Sequence, residues 1–250
     1  MIVEAWPVAA YPELDSTNAE ARRRAEAGET GPQWITAERQ TAGRGRQGRS
    51  WWGHPGNLAA TLLISTQKPP ADAALVSFVA ALAAADTFER WAAPGLVRLK
   101  WPNDVLIAGE KAAGILIESG PASGGLWLAV GMGLNLAWSP DDTERPATSL
   151  ADHLGPQATK TPSPLQALSA LDAAVQARLA QWNGAGAPAV LSDWSGRASG
   201  IPGPCIARLG QETLEGQAEG LEPDGALRLR LASGEVRRIS AGDVFFGASA

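Results

Sequence analysis

Arg39, Arg44, Arg46 and Arg49 fall within eleven residues that contain no carboxylate, with Gly43, Gly45 and Gly48 between them and Trp51 and Trp52 just after. Glycines free the backbone, so such a loop can fold over an anion and bring guanidinium forks and backbone N–H groups onto phosphate oxygens. A solvated basic loop, or an arginine–glycine contact to RNA, fits the same composition, and composition alone leaves these readings open. Residues 43–48 also match G-x-G-x-x-G. The Arg-Ser-Trp-Trp-Gly-His-Pro-Gly that follows cannot open a helix, however, and no acidic residue stands about twenty positions on. No G-x-x-x-x-G-K-[ST] occurs. The chain has four lysines, and two of them, Lys100 and Lys111, flank the turn Trp101-Pro102-Asn103-Asp104. Lys111 opens an alternating strand beside Gly114, where it can neutralise charge in a displacement reaction; a surface lysine at a strand end reads the same way.

The elements that would position these residues follow from local pattern. Ser16 or Thr17 is a ready N-cap for a helix that Gly28 ends. Residues 34–37 read as a short strand, 39–56 as a loop and 57–66 as a buried strand. Residues 71–91 read as one long alanine-rich helix. Extended segments at 96–100, 105–107 and 111–118 follow. From 126 to 137, Leu126, Leu128, Val130, Met132, Leu134 and Leu136 share one strand face, while Gly131, Gly133 and Asn135 on the other let a ligand approach. Residues 138–164 read as loop with a short helical piece, and 165–182 and 187–194 as helices. After residue 200, short strands separated by Gly210-Gln211, Pro223-Asp224-Gly225 and Ser233-Gly234 suggest a small β-barrel.

Composition narrows the class. With 250 residues and 45% hydrophobic content, the chain has material for a real core. One Cys excludes an internal disulfide, and one Cys with two His excludes the usual zinc constellations. A net charge of −5 argues against wholesale nucleic-acid binding while leaving room for a local basic site. The opening residues lack a basic n-region, and the apolar run at 76–85 is short for a bilayer span. These features predict a cytoplasmic α/β or α+β protein with no membrane segment.

Taken together, Ser16-Thr17-Asn18, the stretch from Gln40 to Trp51, Lys100-Trp101-Pro102-Asn103-Asp104, the strand from Lys111 to Glu118, and Gly131-Met132-Gly133-Leu134-Asn135 resemble the biotin–protein ligases. The five motifs occur in order. The resemblance implies an α+β fold: a central mixed β-sheet flanked by helices, as in class II synthetases and biotin–lipoate ligases, with a small C-terminal SH3-like β-barrel. It implies a catalytic domain over 1–199 and a β domain over 200–250. The implied activity couples biotin and ATP, with Mg²⁺, to biotinyl-5′-AMP and then biotinylates one lysine of a biotin carboxyl carrier domain of a carboxylase. Lys111 and Arg46 would be catalytic. Ser16, Thr17, Asn18, Gln40, Arg44, Gly45, Arg46, Lys111 and Gly114 would bind biotin. Gly43, Arg49, Trp51, Trp52, Lys100, Asn103 and Asn135 would bind ATP or the adenylate, with the choice between Trp51 and Trp52 at adenine open. Asn103 and Asp104 would face the metal.

Two departures from the family pattern stand out. About fifteen residues precede Ser16, too few for the helix-turn-helix domain of family members that double as repressors, so no DNA binding is expected. Gln47 stands where many relatives have another arginine. The oligomeric state is open, a homodimer included. A lipoate ligase or octanoyl transferase on the same sheet is the nearest rival, but the transferases need a reactive Cys near a Lys, and Cys205 reads as a core residue. A nonenzymatic RNA-binding module is the rival from another class.

Overall fold

The computed structural model describes residues 4–51, 53–141, 143 and 146–247. The chain begins β1 (Val8–Leu14), α1 (Thr17–Glu26), β2 (Gln33–Gln40) and β3 (Leu58–Thr66). It continues through α2 (Pro70–Ala73), α3 (Val76–Glu89), β4 (Val97–Lys100), β5 (Asp104–Ile107), β6 (Glu110–Ala122) and β7 (Gly125–Leu134). A long helix, α4 (Pro164–Gly196), leads to β8 (Gly203–Leu209), β9 (Glu212–Leu221), β10 (Leu227–Leu231), β11 (Val236–Ile239) and β12 (Asp243–Phe246).

Strands β1 to β7 form one mixed sheet in the order β1-β2-β3-β7-β6-β5-β4, with β1 parallel to β2 and the other pairs antiparallel. The predicted alternation along β7 places it at the centre. Leu128, Val130, Met132 and Leu134 enter the main core with Leu58, Ala60 and Leu62 of β3 and with α3 and α4. Trp127 and Ala129, on the opposite face, pack with Ile35, Leu63 and Ala21 of α1. Helices therefore cover both faces, and each fully buried Leu or Ile contributes on the order of 2 kcal/mol through removal from water. Pro70–Glu89 is apolar and long enough to cross a bilayer, yet 72% of its window is buried against the sheet, so its apolar surface is spent on the core.

Three elements differ from the sequence expectation. Strand β1 was not anticipated. The single helix over 71–91 is two, α2 and α3. The helices at 165–182 and 187–194 run together as α4, broken at Gly186, which has φ 80° and ψ −179°.

The C-terminal strands form a second, antiparallel sheet in the order β11-β10-β9-β8-β12. Its turns fall at the expected glycines, and Gly225 has a double reason to be glycine: φ is +82°, and a Cβ would lie 2.5 Å from the Phe78 ring. There the sheet docks on the larger one, where Trp101 Nε1 donates to the Gly225 carbonyl at 2.9 Å.

Candidate active site

A cleft of about 410 Å³ opens on the α1 side of the central sheet. Its lining includes Ser16, Thr17, Asn18, Gln40, Arg44, Gly45, Arg46, Arg49, Trp51, Asn103, Asp104, Lys111, Gly114 and Asn135. Fourteen of the seventeen residues singled out in the sequence thus meet in one place. Of the others, Gly43 is not part of the lining, and its carbonyl accepts from Trp51 N–H. Lys100 stands outside the lining, with Nζ 5.9 Å from the Phe245 ring centroid. Trp52 lies outside the described residues.

One end of the cleft is polar and uncharged. Ser16 precedes α1 in extended backbone and makes no side-chain cap bond, so its hydroxyl is not the cap that the sequence suggested. Gln40 closes β2, and its Oε1 accepts from the Thr17 backbone N–H at 2.8 Å. That bond fixes the amide's orientation and leaves Nε2 as its donor end. Just before the helix, Asp15 is held at a pKa of about 2 by its hydrogen bonds to Arg23, which outweigh the opposing effect of burial. Burial pushes the Glu20 carboxyl up, but hydrogen bonds from Arg24 and Arg23 outweigh it and hold the group below its ordinary range.

The floor is made by small residues. Gly114 of β6 pairs with Gly133 of β7, and Leu116 with Gly131. A Cβ on Gly133 would come within 2.3 Å of the Trp51 indole, and one on Gly131 within 2.1 Å of Asn18 Oδ1. The small face that the sequence marked for a ligand therefore also receives Trp51, the one described member of the tryptophan pair.

Cations gather at the other end. Lys111 Nζ contacts Asp104 Oδ1 at 2.6 Å and lies 5.7 Å from the Trp51 ring centroid. A bulge between β5 and β6 shifts the register just where Leu106 faces Lys111, which turns the lysine relative to its strand. Asn103 donates from Nδ2 to the Ile115 carbonyl and accepts from Arg46 Nη1 at 2.9 Å. Arg46 Nη2 donates to the Gly242 carbonyl at 3.2 Å, and Arg49 pairs with Asp243 at 2.7 Å. Two arginines of the loop thus hold it to the C-terminal sheet. Arg39, grouped with them by sequence, pairs with Glu13 on exposed surface and does not line the cleft. Asn135 is buried, its N–H bonded to the Ala112 carbonyl and its Nδ2 to the Thr148 carbonyl.

Sequence reasoning missed several contributors. Gly242, Asp243 and Val244 reach the cleft from the C-terminal sheet, and no local signal marks them. Thr61 in β3 and Glu118 in β6 fix the neutral end from behind: Thr61 Oγ1 lies 2.8 Å from Thr17 Oγ1 and 2.7 Å from Asn18 Oδ1. Asn18 Nδ2 donates to Glu118 Oε2 at 2.8 Å and to the Leu116 carbonyl at 3.3 Å. Cys205 is buried in the core, and burial pushes its thiol up to about 11 despite a small opposing effect of Lys100, so it supplies no reactive thiolate.

A mixed sheet that floors one cleft, neutral and hydrogen-bonding at one end and cationic at the other, defines a protein that brings a small molecule and an anion together. Residues 12–135 match the model of the biotin/lipoate A/B protein ligase family, and residues 204–247 match that of the biotin protein ligase C-terminal domain. The biotin–[acetyl-CoA-carboxylase] ligase of Paracoccus denitrificans is 40% identical over 93% of this chain and 98% of its own length. The chain belongs to the biotin protein ligase family. Among solved structures, biotin protein ligase of Aquifex aeolicus in complex with biotin and ATP superposes with a TM-score of 0.79, at 22% identity, over 96% of this chain and 99% of that one. The Leishmania major enzyme in complex with biotinyl-5-AMP gives 0.65 at 25% identity, over 94% and 99%.

Proposed function

We propose that this protein activates biotin with MgATP to biotinyl-5′-AMP and transfers the biotinyl group to a lysine of a biotin carboxyl carrier domain, acting in the cytoplasm. The observation that carries the reading is the single cleft joining an uncharged hydrogen-bonding end to a cluster of Lys111, Arg44, Arg46 and Arg49. A bicyclic ureido head is neutral and needs donors and acceptors, which Ser16, Thr17 and Gln40 supply. Its carboxylate would reach toward Lys111 along the glycine floor.

In the first step a biotin carboxylate oxygen attacks the α-phosphorus, and the bond to the bridging oxygen breaks so that pyrophosphate leaves with the electron pair. Anions meet anions here, so Lys111 and Arg46 lower the repulsion and stabilise the charge on the departing oxygen. In the second step a carrier lysine amine attacks the acyl carbon, AMP leaves, and the amine loses its proton. Closure of the arginine loop against Gly242 and Asp243 keeps water from the mixed anhydride in between.

Magnesium enters with the nucleotide. Among the described residues no group of three or more His, Cys, Asp or Glu gathers to cage a metal. Asp104 is one carboxylate beside Lys111, and Asn103 Oδ1 receives Arg46. That donor set suits an ion that keeps phosphate and water oxygens and takes few from protein, with Asp104 as the carboxylate toward it. We divide the chain into a catalytic domain, 1–199, and a C-terminal domain, 200–250, on the separation of the two sheets.

Biotin-dependent exchange of labelled pyrophosphate into ATP tests the reading, with lipoate as the comparison acid. Exchange with biotin alone supports it. Exchange with lipoate alone, or with neither acid, overturns it.

A further inference from the structure

Thr61 does not line the cleft, yet it decides what one cleft hydroxyl can do. Its side chain is fully buried in β3 and sits between Thr17 Oγ1, at 2.8 Å, and Asn18 Oδ1, at 2.7 Å. A hydroxyl carries one proton and cannot donate to both. Asn18 removes the ambiguity. Both hydrogens of its amide are committed, to the Glu118 carboxylate and to the Leu116 carbonyl, so the amide cannot flip without setting oxygen against oxygen. Its Oδ1 must face Thr61, and the Thr61 proton goes to it. The 2.8 Å contact to Thr17 then requires Thr17 to donate to Thr61. Gln40 Oε1, 3.2 Å from the Thr17 hydroxyl, loses nothing, because it already accepts the Thr17 backbone N–H.

We infer that Thr61 is a positioning residue: through Glu118, Asn18 and Thr61 in series, the protein spends the Thr17 proton internally and presents Thr17 Oγ1 to the cleft as an acceptor only. A ligand group at that spot must donate a hydrogen bond. The site thereby selects a ring N–H over a ring oxygen of the same size, since an oxygen there would meet an acceptor that cannot reverse. The inference deepens the ligase reading and rests on it, because the ureido N–H of biotin is the donor concerned.

The test compares biotin with its cyclic carbamate analogues, in which one or the other ureido N–H is replaced by oxygen, in pyrophosphate exchange and in calorimetric binding. Thr61→Val keeps the volume and removes the relay, so Thr17 regains a proton it can offer outward. The KM for biotin should rise about tenfold with kcat nearly unchanged. Discrimination against one of the two carbamates should fall about tenfold, and Thr61→Ser should restore both values. In a Thr17→Val background, Thr61→Val should change the discrimination no further, as expected of residues acting in series. Glu118→Gln, which loosens Asn18 without altering the buried threonine, should move the discrimination the same way by a smaller factor and serves if Thr61→Val does not fold. Wild-type exchange with biotin, together with unchanged discrimination in Thr61→Val or, failing its folding, in Glu118→Gln, overturns the inference and leaves the ligase reading standing. Absence of exchange in the wild type overturns the reading itself.

Discussion

Lys111 and Asp104, paired at 2.6 Å across neighbouring strands, leave the aspartate side chain buried and the lysine side chain about one-third exposed. The pair therefore has an inside and an outside: Asp104 anchors the cation while Nζ keeps a side open to the cleft.

Replacement Lys111→Ala should lower adenylate formation by roughly 10²–10³. Asp104 loses its nearest cation, and because the pair is only partly buried the stability loss should be about 1 kcal/mol. Rapid-quench assay of biotinyl-5′-AMP beside a thermal melt separates the two effects. Near-normal formation of the adenylate would return Lys111 to an ordinary strand-end lysine.

Arg46 joins Asn103 on the central sheet to Gly242 on the C-terminal one. Arg46→Gly should speed release of the adenylate more than it weakens biotin affinity, with the escaped anhydride labelling bystander lysines. Dissociation rate and biotin affinity, measured side by side, give the answer; equal losses would mean that the arginine grips biotin itself.

Gly133→Ala places a methyl 2.3 Å from the Trp51 indole. The ring must move off the floor or the strand must shift, so affinity for the adenylate should fall by at least about tenfold. Tryptophan fluorescence should change even without ligand. A variant indistinguishable from wild type in both respects would show that Trp51 has no fixed seat on the sheet.

Asp15 is lowered to about 2 from 3.8 by Arg23. A carboxyl lowered on folding stabilises above its unfolded pKa and loses that contribution as pH falls through the folded value. Arg23→Ala should therefore cost a little stability at neutral pH and none below about pH 2. Both side chains are about half exposed, so the difference will be small and salt-sensitive. Melting temperature against pH for the two proteins measures it, and a gap that widens toward pH 2 would contradict the assignment.

Much of this architecture was legible because local chemistry and global position agree. The β7 alternation, the helix ending at Gly28 and the glycine turns of the C-terminal sheet follow from patterns within a few residues. Strand β1 escaped because Pro12 interrupts it and, at the sheet edge, its residues are largely exposed, so neither alternation nor apolarity marks it. Most of the cleft lining could be found from residue type and motif order. Arg39 and Lys100 could not be separated from their neighbours that way, since the pleat and the strand end carry them outside the cleft. Thr61 gave no signal, because a threonine within a largely apolar strand looks like any other until Asn18 is seen beside it.

The anchoring of the arginine loop on residues 242–243 also has a consequence for biosynthesis. Those residues leave the ribosome after nearly all of the chain described here, when the neutral end of the cleft and the glycine floor can already have folded. A nascent chain could therefore hold biotin before it could retain an activated acyl group, and the hazard of a leaking anhydride is deferred until the wall that contains it has been made.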